Sequence, residues 1–135
     1  MRRLLSCSLI VVISVCAGTL GCGPKGPRVV PVSGTLTRNG KPVPNLEIYF
    51  IPNQGRNSVA STDEQGRFNL GYTADQAGAQ TGNHTVWVTY NPADPVLNPP
   101  PPDKDAIIAK YGSQEVSKLK VEVKEAISDL ELKID

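Results

Sequence analysis

The sequence predicts an all-β fold, a seven-stranded β-sandwich with one short helix in a proline-rich crossover. Apolar and polar residues alternate with a period of two in seven separate segments, and residues two apart lie on one face of a strand. The chain also holds twelve glycines and twelve prolines, a content typical of short strands joined by tight turns. Strands that each have one apolar face can bury it by packing two sheets together.

The alternation gives each predicted strand an inner face and an outer face. In the second strand Ile48 and Phe50 face inward, whereas Tyr49 faces outward. The third is the weakest, with Val59 as its main apolar residue. The last two are separated by residues 125–128 and are predicted to pair as a hairpin. The seven predicted strands are 30–37, 46–50, 57–62, 68–72, 84–90, 118–124 and 130–135.

Turn signals and one long crossover separate the strands. Asn39-Gly40 predicts a tight turn, because both residues tolerate positive φ, and residues 63–66 fit a type I turn. Residues 91–104 contain six prolines, which cannot donate to a sheet ladder and favour polyproline II. Residues 105–112 follow, with Asp105 as a helix cap and glycine as a stop, and predict one or two helical turns.

The first 21 residues predict a secretory signal peptide rather than part of the fold. A short positive start with Arg2 and Arg3 precedes an apolar stretch over residues 4–17, and small residues follow at 18–21. The apolar stretch is too short for a membrane-spanning helix, which needs about 20 residues. We therefore expect an exported chain, with residues 22–28 as a tether and residues 29–135 as one folded domain.

Gly21-Cys22 resembles the lipobox of bacterial lipoproteins, in which the cysteine thiol takes a diacylglyceryl group and becomes the new N-terminus. Thr19 stands where those proteins prefer leucine. Cys7 and Cys16 lie inside the predicted signal, so its removal leaves one cysteine, and lipidation explains that leftover thiol. The alternative is an ordinary secreted protein with a free N-terminal thiol. By analogy, Gly23 favours the outer membrane, because an aspartate there retains lipoproteins in the inner membrane.

Composition argues against several function classes. Without Arg2 and Arg3 the chain is about neutral, so nucleic acid is not an expected partner. His84 is the single histidine and begins an inward-facing apolar row, which indicates a structural role. The phosphate-binding glycine motifs are absent. We expect no catalytic residues and no cofactor.

A calcium site is the next possibility, since calcium takes oxygen ligands. The candidate carboxylates flank the proline segment or lie at a turn, but their spacing matches no calcium loop, and Asp63 and Asp105 already have turn and capping roles. We therefore expect no metal. The residues considered are Asp63, Glu64, Asp94, Asp103 and Asp105.

Trp87 and Tyr49 are the candidate ligand-binding residues. Trp87 alternates with Val86 and Val88, which places it on the outer face of its strand. An exposed aromatic side chain on a sheet can stack on a sugar or anchor a protein partner. The alternative is that the crossover over residues 91–112 folds back and covers this face.

The order of these motifs resembles the carboxypeptidase regulatory-like domain, a transthyretin-like (prealbumin-like) β-sandwich. The resemblance covers about residues 29–90 and depends on residues 32–36 (VSGTL), 39–45 (NGKPVPN), 62–68 (TDEQGRF) and 82–86 (GNHTV). Residues 107–135 resemble the version found in small lipoproteins of planctomycete-type bacteria. The family implies a Greek-key sandwich with a non-catalytic accessory or binding role, and it supplies no catalytic residues.

These observations favour a non-enzymatic lipoprotein of the cell envelope, held in a membrane by its N-terminal lipid, whose domain binds another envelope protein or acts as an accessory. The alternative is a carbohydrate-binding module that contacts envelope polysaccharide through Trp87 and Tyr49. Exposed, coplanar rings would favour this alternative, and a Trp87 buried under the crossover would exclude it. A small hydrolase would require a cleft with converging polar groups, for which the sequence supplies no set of residues.

Overall fold

The computed structural model describes Gly21 and residues 26–135. Residues 1–20 of the predicted signal peptide and residues 22–25, which include Cys22, lie outside the described residues. The described chain is mostly β-strand with one short helix, as predicted. Its elements are β1 Val29–Val30, β2 Val32–Arg38, β3 Lys41–Pro42, β4 Glu47–Pro52, β5 Ser58–Ser61, β6 Arg67–Asn69, β7 Ala79–Gln80, β8 Gly82–Thr89, α1 Lys104–Tyr111, β9 Leu119–Val123 and β10 Ile127–Ile134.

Ten strands are present in these residues, where the alternation predicted seven. The seven predicted segments correspond to β2, β4, β5, β6, β8, β9 and β10. The additional strands β1, β3 and β7 have two residues each. A two-residue strand is too short to contain a recognisable period, so alternation alone does not detect it.

The strands form two four-stranded sheets and one small ribbon. In one sheet β2 pairs with β10 on one edge, and with β3 and β6 in succession on the other. The other sheet has the order β5-β4-β8-β9. β1 and β7 form the ribbon. The inward residues of both sheets belong to one buried cluster, an arrangement consistent with a β-sandwich.

The core is filled by the residues that alternation placed inward. Ile48 and Phe50 on β4 are fully buried, as are Val86 and Val88 on β8. The Phe50 ring lies 6.4 Å from that of Phe68, which comes from the other sheet. The two sheets therefore meet through large apolar side chains, and their burial is the main stabilising contribution.

The predicted hairpin between the last two strands is wrong. β9 pairs with β8, whereas β10 pairs in parallel with β2, so the two strands belong to different sheets. Both strands turn their apolar residues toward the same core. Alternation identifies the buried face of a strand but not its neighbour, and the short connection crosses from one sheet to the other instead of folding back.

Both predicted turns are confirmed. Asn39 and Gly40 have φ of 51° and 78°, the positive values required by a type I′ turn. In the turn over residues 63–66, Gly66 N donates to Asp63 O at 2.9 Å. The Asp63 carboxylate accepts from two backbone nitrogens, those of Gln65 and Arg67, each at 2.9 Å. These bonds, led by that from Arg67, lower the pKa of Asp63.

The helix begins at Lys104, two residues earlier than a cap at Asp105 predicts, and Asp105 is not its cap. Asp103 occupies the N-cap position without a side-chain capping bond, and its carboxylate pairs instead with Arg38 on β2 at 2.6 Å. Asp105 lies in the first turn, where its negative charge still favours the helix dipole. Ile107 is buried in the core, and no helix of the described residues is long and apolar enough to cross a membrane.

The C-terminal end of α1 is attached to the end of β10. The Tyr111 hydroxyl donates to the Asp135 carboxylate, and Lys110 Nζ lies 3.3 Å from the other carboxylate oxygen. The bond from Tyr111, followed by Lys110, lowers the pKa of Asp135. The same bond, followed by burial, raises the pKa of Tyr111. The helix is thus held to the β10 sheet at both of its ends.

The substitution Tyr111→Phe is expected to raise the pKa of Asp135 toward its ordinary value of 3.8. A carboxyl whose pKa is lowered by folding stabilises the fold above its ordinary pKa, and that contribution is lost as the pH falls through the lowered value. The attachment of α1 should therefore weaken in acid below about 3.8. NMR titration of the Asp135 side chain measures the change. Tyr72→Phe is the control, and an unchanged Asp135 titration in Tyr111→Phe would contradict the bond.

Candidate functional site

The two predicted ligand-binding residues meet on the outer face of the β5-β4-β8-β9 sheet. Tyr49 on β4 is directly opposite Trp87 on β8, and both side chains are half-buried. Val59 on β5 is opposite Tyr49 on its other side. The three residues form one row across the sheet, which we call the aromatic row.

The Tyr49 and Trp87 rings stack face to face. Their centroids are 4.2 Å apart and their planes differ by 6°. Neighbouring strands lie about 4.8 Å apart, so the stacking direction runs from strand to strand and the rings stand upright on the sheet. The rings are therefore parallel but not coplanar, and each has one face occupied by the other. The pair therefore does not form the flat, coplanar platform that would favour stacking of a sugar on both rings.

The crossover does not place its buried helix residues over Trp87. Ile107 is buried within the core cluster, and Tyr111 packs against that cluster. The proline segment is held at the end of the sheet: the Tyr90 hydroxyl donates to Asn98 O at 2.9 Å, and Asn45 Nδ2 donates to Pro99 O at 2.8 Å. Trp87 consequently keeps part of its surface in solvent.

A polar pocket of about 210 Å³ adjoins the aromatic row, between the β4–β5 pair and the crossover. Its sheet side includes Glu47 and Ser61, which are paired in register one step along the outer face from Tyr49 and Val59. Its lining residues are Asn45, Leu46, Glu47, Ser61, Thr62, Asn91, Pro92, Ala93 and Asn98. We call it the amide pocket, because three of these residues are asparagines.

Glu47 connects the amide pocket to the aromatic row. Asn91 Nδ2 donates to a Glu47 carboxylate oxygen at 3.5 Å. Burial, together with the neighbouring Glu47 carboxylate, raises the pKa of Tyr49. Such a rise is expected when a negative charge lies close to a phenol that would itself become negative. Glu47 therefore lies within reach of both features.

A lysine lies on the outer face on the other side of Trp87. Lys120 on β9 is opposite Thr85 on β8, and Lys120 Nζ donates to the Thr85 hydroxyl at 2.6 Å. Thr85 is buried, in part because the lysine side chain lies beside it. The aromatic row thus lies between a carboxylate at one end and an ammonium at the other.

His84 lies in the core, as the sequence analysis expected. It is 1% exposed, and its ring lies 5.7 Å from that of Phe50. Its Nε2 is 2.7 Å from Gln80 O. A carbonyl oxygen only accepts, so Nε2 carries the proton. The histidine therefore binds the backbone that leads into β8.

Three of the carboxylates considered for calcium have separate local partners. Asp94 Oδ1 accepts from Val96 N at 2.8 Å, Asp103 pairs with Arg38, and Asp105 lies 3.2 Å from Lys104 Nζ. Among the described residues no group of three or more histidine, cysteine or acidic side chains could hold a metal ion.

A second pocket of about 370 Å³ lies between the β2–β3 turn and the start of α1. Pro42, Pro44, Pro101 and Pro102 form much of its lining. Arg38 also lines this pocket, and its guanidinium already pairs with Asp103. It is separate from the outer face that carries the aromatic row.

The amide pocket was missed from the sequence, although part of its signal was present. Alternation already placed Glu47 on the same face as Tyr49. The asparagines at 45, 91 and 98 are distant in sequence, and only the path of the crossover brings them together.

Comparisons of the chain with family models, with curated proteins and with solved structures find no match.

Proposed function

We propose that the chain is an exported lipoprotein of the cell envelope, with a non-catalytic binding domain whose contact surface is the outer face of the β5-β4-β8-β9 sheet. The observation that carries the proposal is the stacked Tyr49–Trp87 pair, which is partly exposed to solvent. Large aromatic side chains contribute much contact area at little entropic cost, and they are enriched where proteins bind partners.

The anchoring part of the proposal depends on the N-terminal sequence. Residues 1–22 have the order of a signal peptide followed by a lipidated cysteine. The first strand begins at Val29, so residues 23–28 separate Cys22 from the fold and supply a short tether. We further propose a transthyretin-like Greek-key sandwich of the carboxypeptidase regulatory-like class, which the strand sequence and the two facing sheets support.

The substitution Cys22→Ser is expected to abolish lipid attachment. The full chain is expressed in a bacterial host with a labelled palmitate, and cell fractions are analysed for label and protein. Wild type should carry label and sediment with membranes, because lipid chains supply the anchoring energy. Cys22→Ser should carry none and lose its membrane attachment. Cys16→Ser, within the predicted signal, is the matched control and should be labelled. Equal labelling of Cys22→Ser and wild type would contradict the proposal.

In-cell cross-linking of the tagged protein tests the binding surface. An envelope protein that is recovered with wild type and lost with Trp87→Ala would identify the outer face as its contact. A partner that is recovered equally well with Trp87→Ala would place the contact elsewhere.

A carbohydrate-binding module is the second candidate function, and the amide pocket is the observation that favours it.

A further inference from the structure

The amide pocket offers hydrogen-bond acceptors together with donors. Asn45 Nδ2 donates to Pro99 O and Asn98 Nδ2 donates to Asp94 O, at 2.8 and 3.1 Å. Because both partners are carbonyl oxygens, the amide nitrogens must face them. Asn91 Nδ2 faces Glu47. Within the part of the chain that the structure describes, no hydrogen bond is made to the three amide oxygens, and each amide nitrogen uses only one of its two N–H groups, so these side chains can both accept from and donate to a ligand.

The negative charge of the amide pocket favours neutral ligands over anionic ones. Glu47 contributes a carboxylate, and no lysine or arginine is among the described residues that line the pocket. An anionic ligand would be repelled there, whereas hydroxyl groups could donate to the carboxylate and the amide oxygens. The Ser61 hydroxyl can both donate and accept. The pocket chemistry therefore matches a neutral, hydroxyl-rich ligand.

The size of the pocket indicates one ring of a longer ligand. Its volume of about 210 Å³ corresponds to roughly seven water molecules and is smaller than the usual pocket for a drug-sized molecule, about 300–1,000 Å³. Glu47 and Tyr49 are two residues apart on one face, which is about 7 Å along a strand. A ligand that fills the pocket and continues along β4 would next meet the aromatic row.

We propose that the amide pocket and the aromatic row together bind a neutral glycan. One saccharide unit occupies the pocket, with its hydroxyls donating to Glu47 and to the asparagine oxygens. The next unit places its C–H surface against the exposed parts of Tyr49 and Trp87. This inference rests on the proposed function, because it names the ligand class of the same binding domain. It does not need a flat aromatic platform, since the pocket supplies the orienting contacts.

Trp87 is the single tryptophan of the chain, so its fluorescence reports directly on the aromatic row. The full chain in detergent is titrated with soluble neutral hexasaccharides of glucose and of N-acetylglucosamine. We expect a saturable change in Trp87 emission with at least one of them. Glu47→Gln should weaken binding roughly tenfold or more, because it removes a charge-assisted hydrogen bond. Glu131→Gln, the same change on an exposed residue of β10, should bind like wild type.

Three results would overturn the glycan proposal. The first is that neither hexasaccharide gives a saturable change in Trp87 emission. The second is that Glu47→Gln and wild type bind with equal affinity. The third is that calcium chloride, added without any glycan, saturates the change in Trp87 emission. Palmitate labelling and membrane attachment are measured on the same protein preparations. A protein that keeps its label but binds no glycan overturns only the ligand class, whereas loss of the label in wild type overturns the lipoprotein.

Discussion

Leu36→Ala is expected to lower the free energy of unfolding by about 2–5 kcal/mol. Leu36 is fully buried in the centre of β2, where it is opposite Leu132 of β10. Its truncation removes apolar contacts and leaves a cavity between the two sheets, and both effects destabilise the fold. A loss of this size is a large fraction of the 5–15 kcal/mol typical of a small domain.

Urea denaturation of the full chain measures the loss as a lower midpoint. Leu97→Ala is the matched control, because Leu97 is 77% exposed in the crossover. It should change the stability by no more than about 0.5 kcal/mol. If the two variants unfolded at the same urea concentration, β2 would not be the centre of the core.

Gly34→Ala is expected to destabilise the protein by about 1–3 kcal/mol or more. Gly34 is buried on β2, beside the irregular part of the β2–β10 pairing. An added Cβ would lie 2.0 Å from Leu130 O and 2.8 Å from Leu130 C. These are backbone atoms, so β10 would have to move away from β2 to relieve the overlap.

Gly71→Ala is the matched control for this effect. The nearest atom to an added Cβ at Gly71 is Val59 O at 3.6 Å, an ordinary contact, and Gly71 is exposed. We expect a change within about 0.5 kcal/mol, measured by the same denaturation experiment. A stability of Gly34→Ala equal to that of Gly71→Ala would contradict the close approach of β10 to β2.

The strands and their buried faces could be predicted from the sequence, because they depend on residues that are close together in the chain. In β4 the alternation of Ile48, Tyr49 and Phe50 determines which side chains are buried, because the period of a strand is two. The Asn39-Gly40 turn was predictable for the same reason: its backbone requirement lies within the two residues themselves. These features need no knowledge of the distant chain.

The partners of the strands and the amide pocket depend on distant segments. Nothing in residues 127–134 specifies pairing with β2 rather than with β9, since both choices bury Leu130 and Leu132. The pocket depends on bonds such as that from Asn45 to Pro99 O, which determine the path of a proline-rich segment. Alternation contains no information on that path. The sequence therefore places Glu47 on the outer face of β4 but does not show that it lines a pocket.

The parallel pairing of β10 with β2 has a consequence for the order of folding. Ser33 on β2 donates to Ser128 O on β10, across 95 positions of the chain. In the folding chain, one edge of β2 has no partner until β10 reaches it. Contacts this distant in sequence make folding slow, on the scale of milliseconds to seconds for comparable β proteins. Until then the open edge of β2 is a template on which another chain could add a strand, so the protein is most prone to aggregate before β10 has paired.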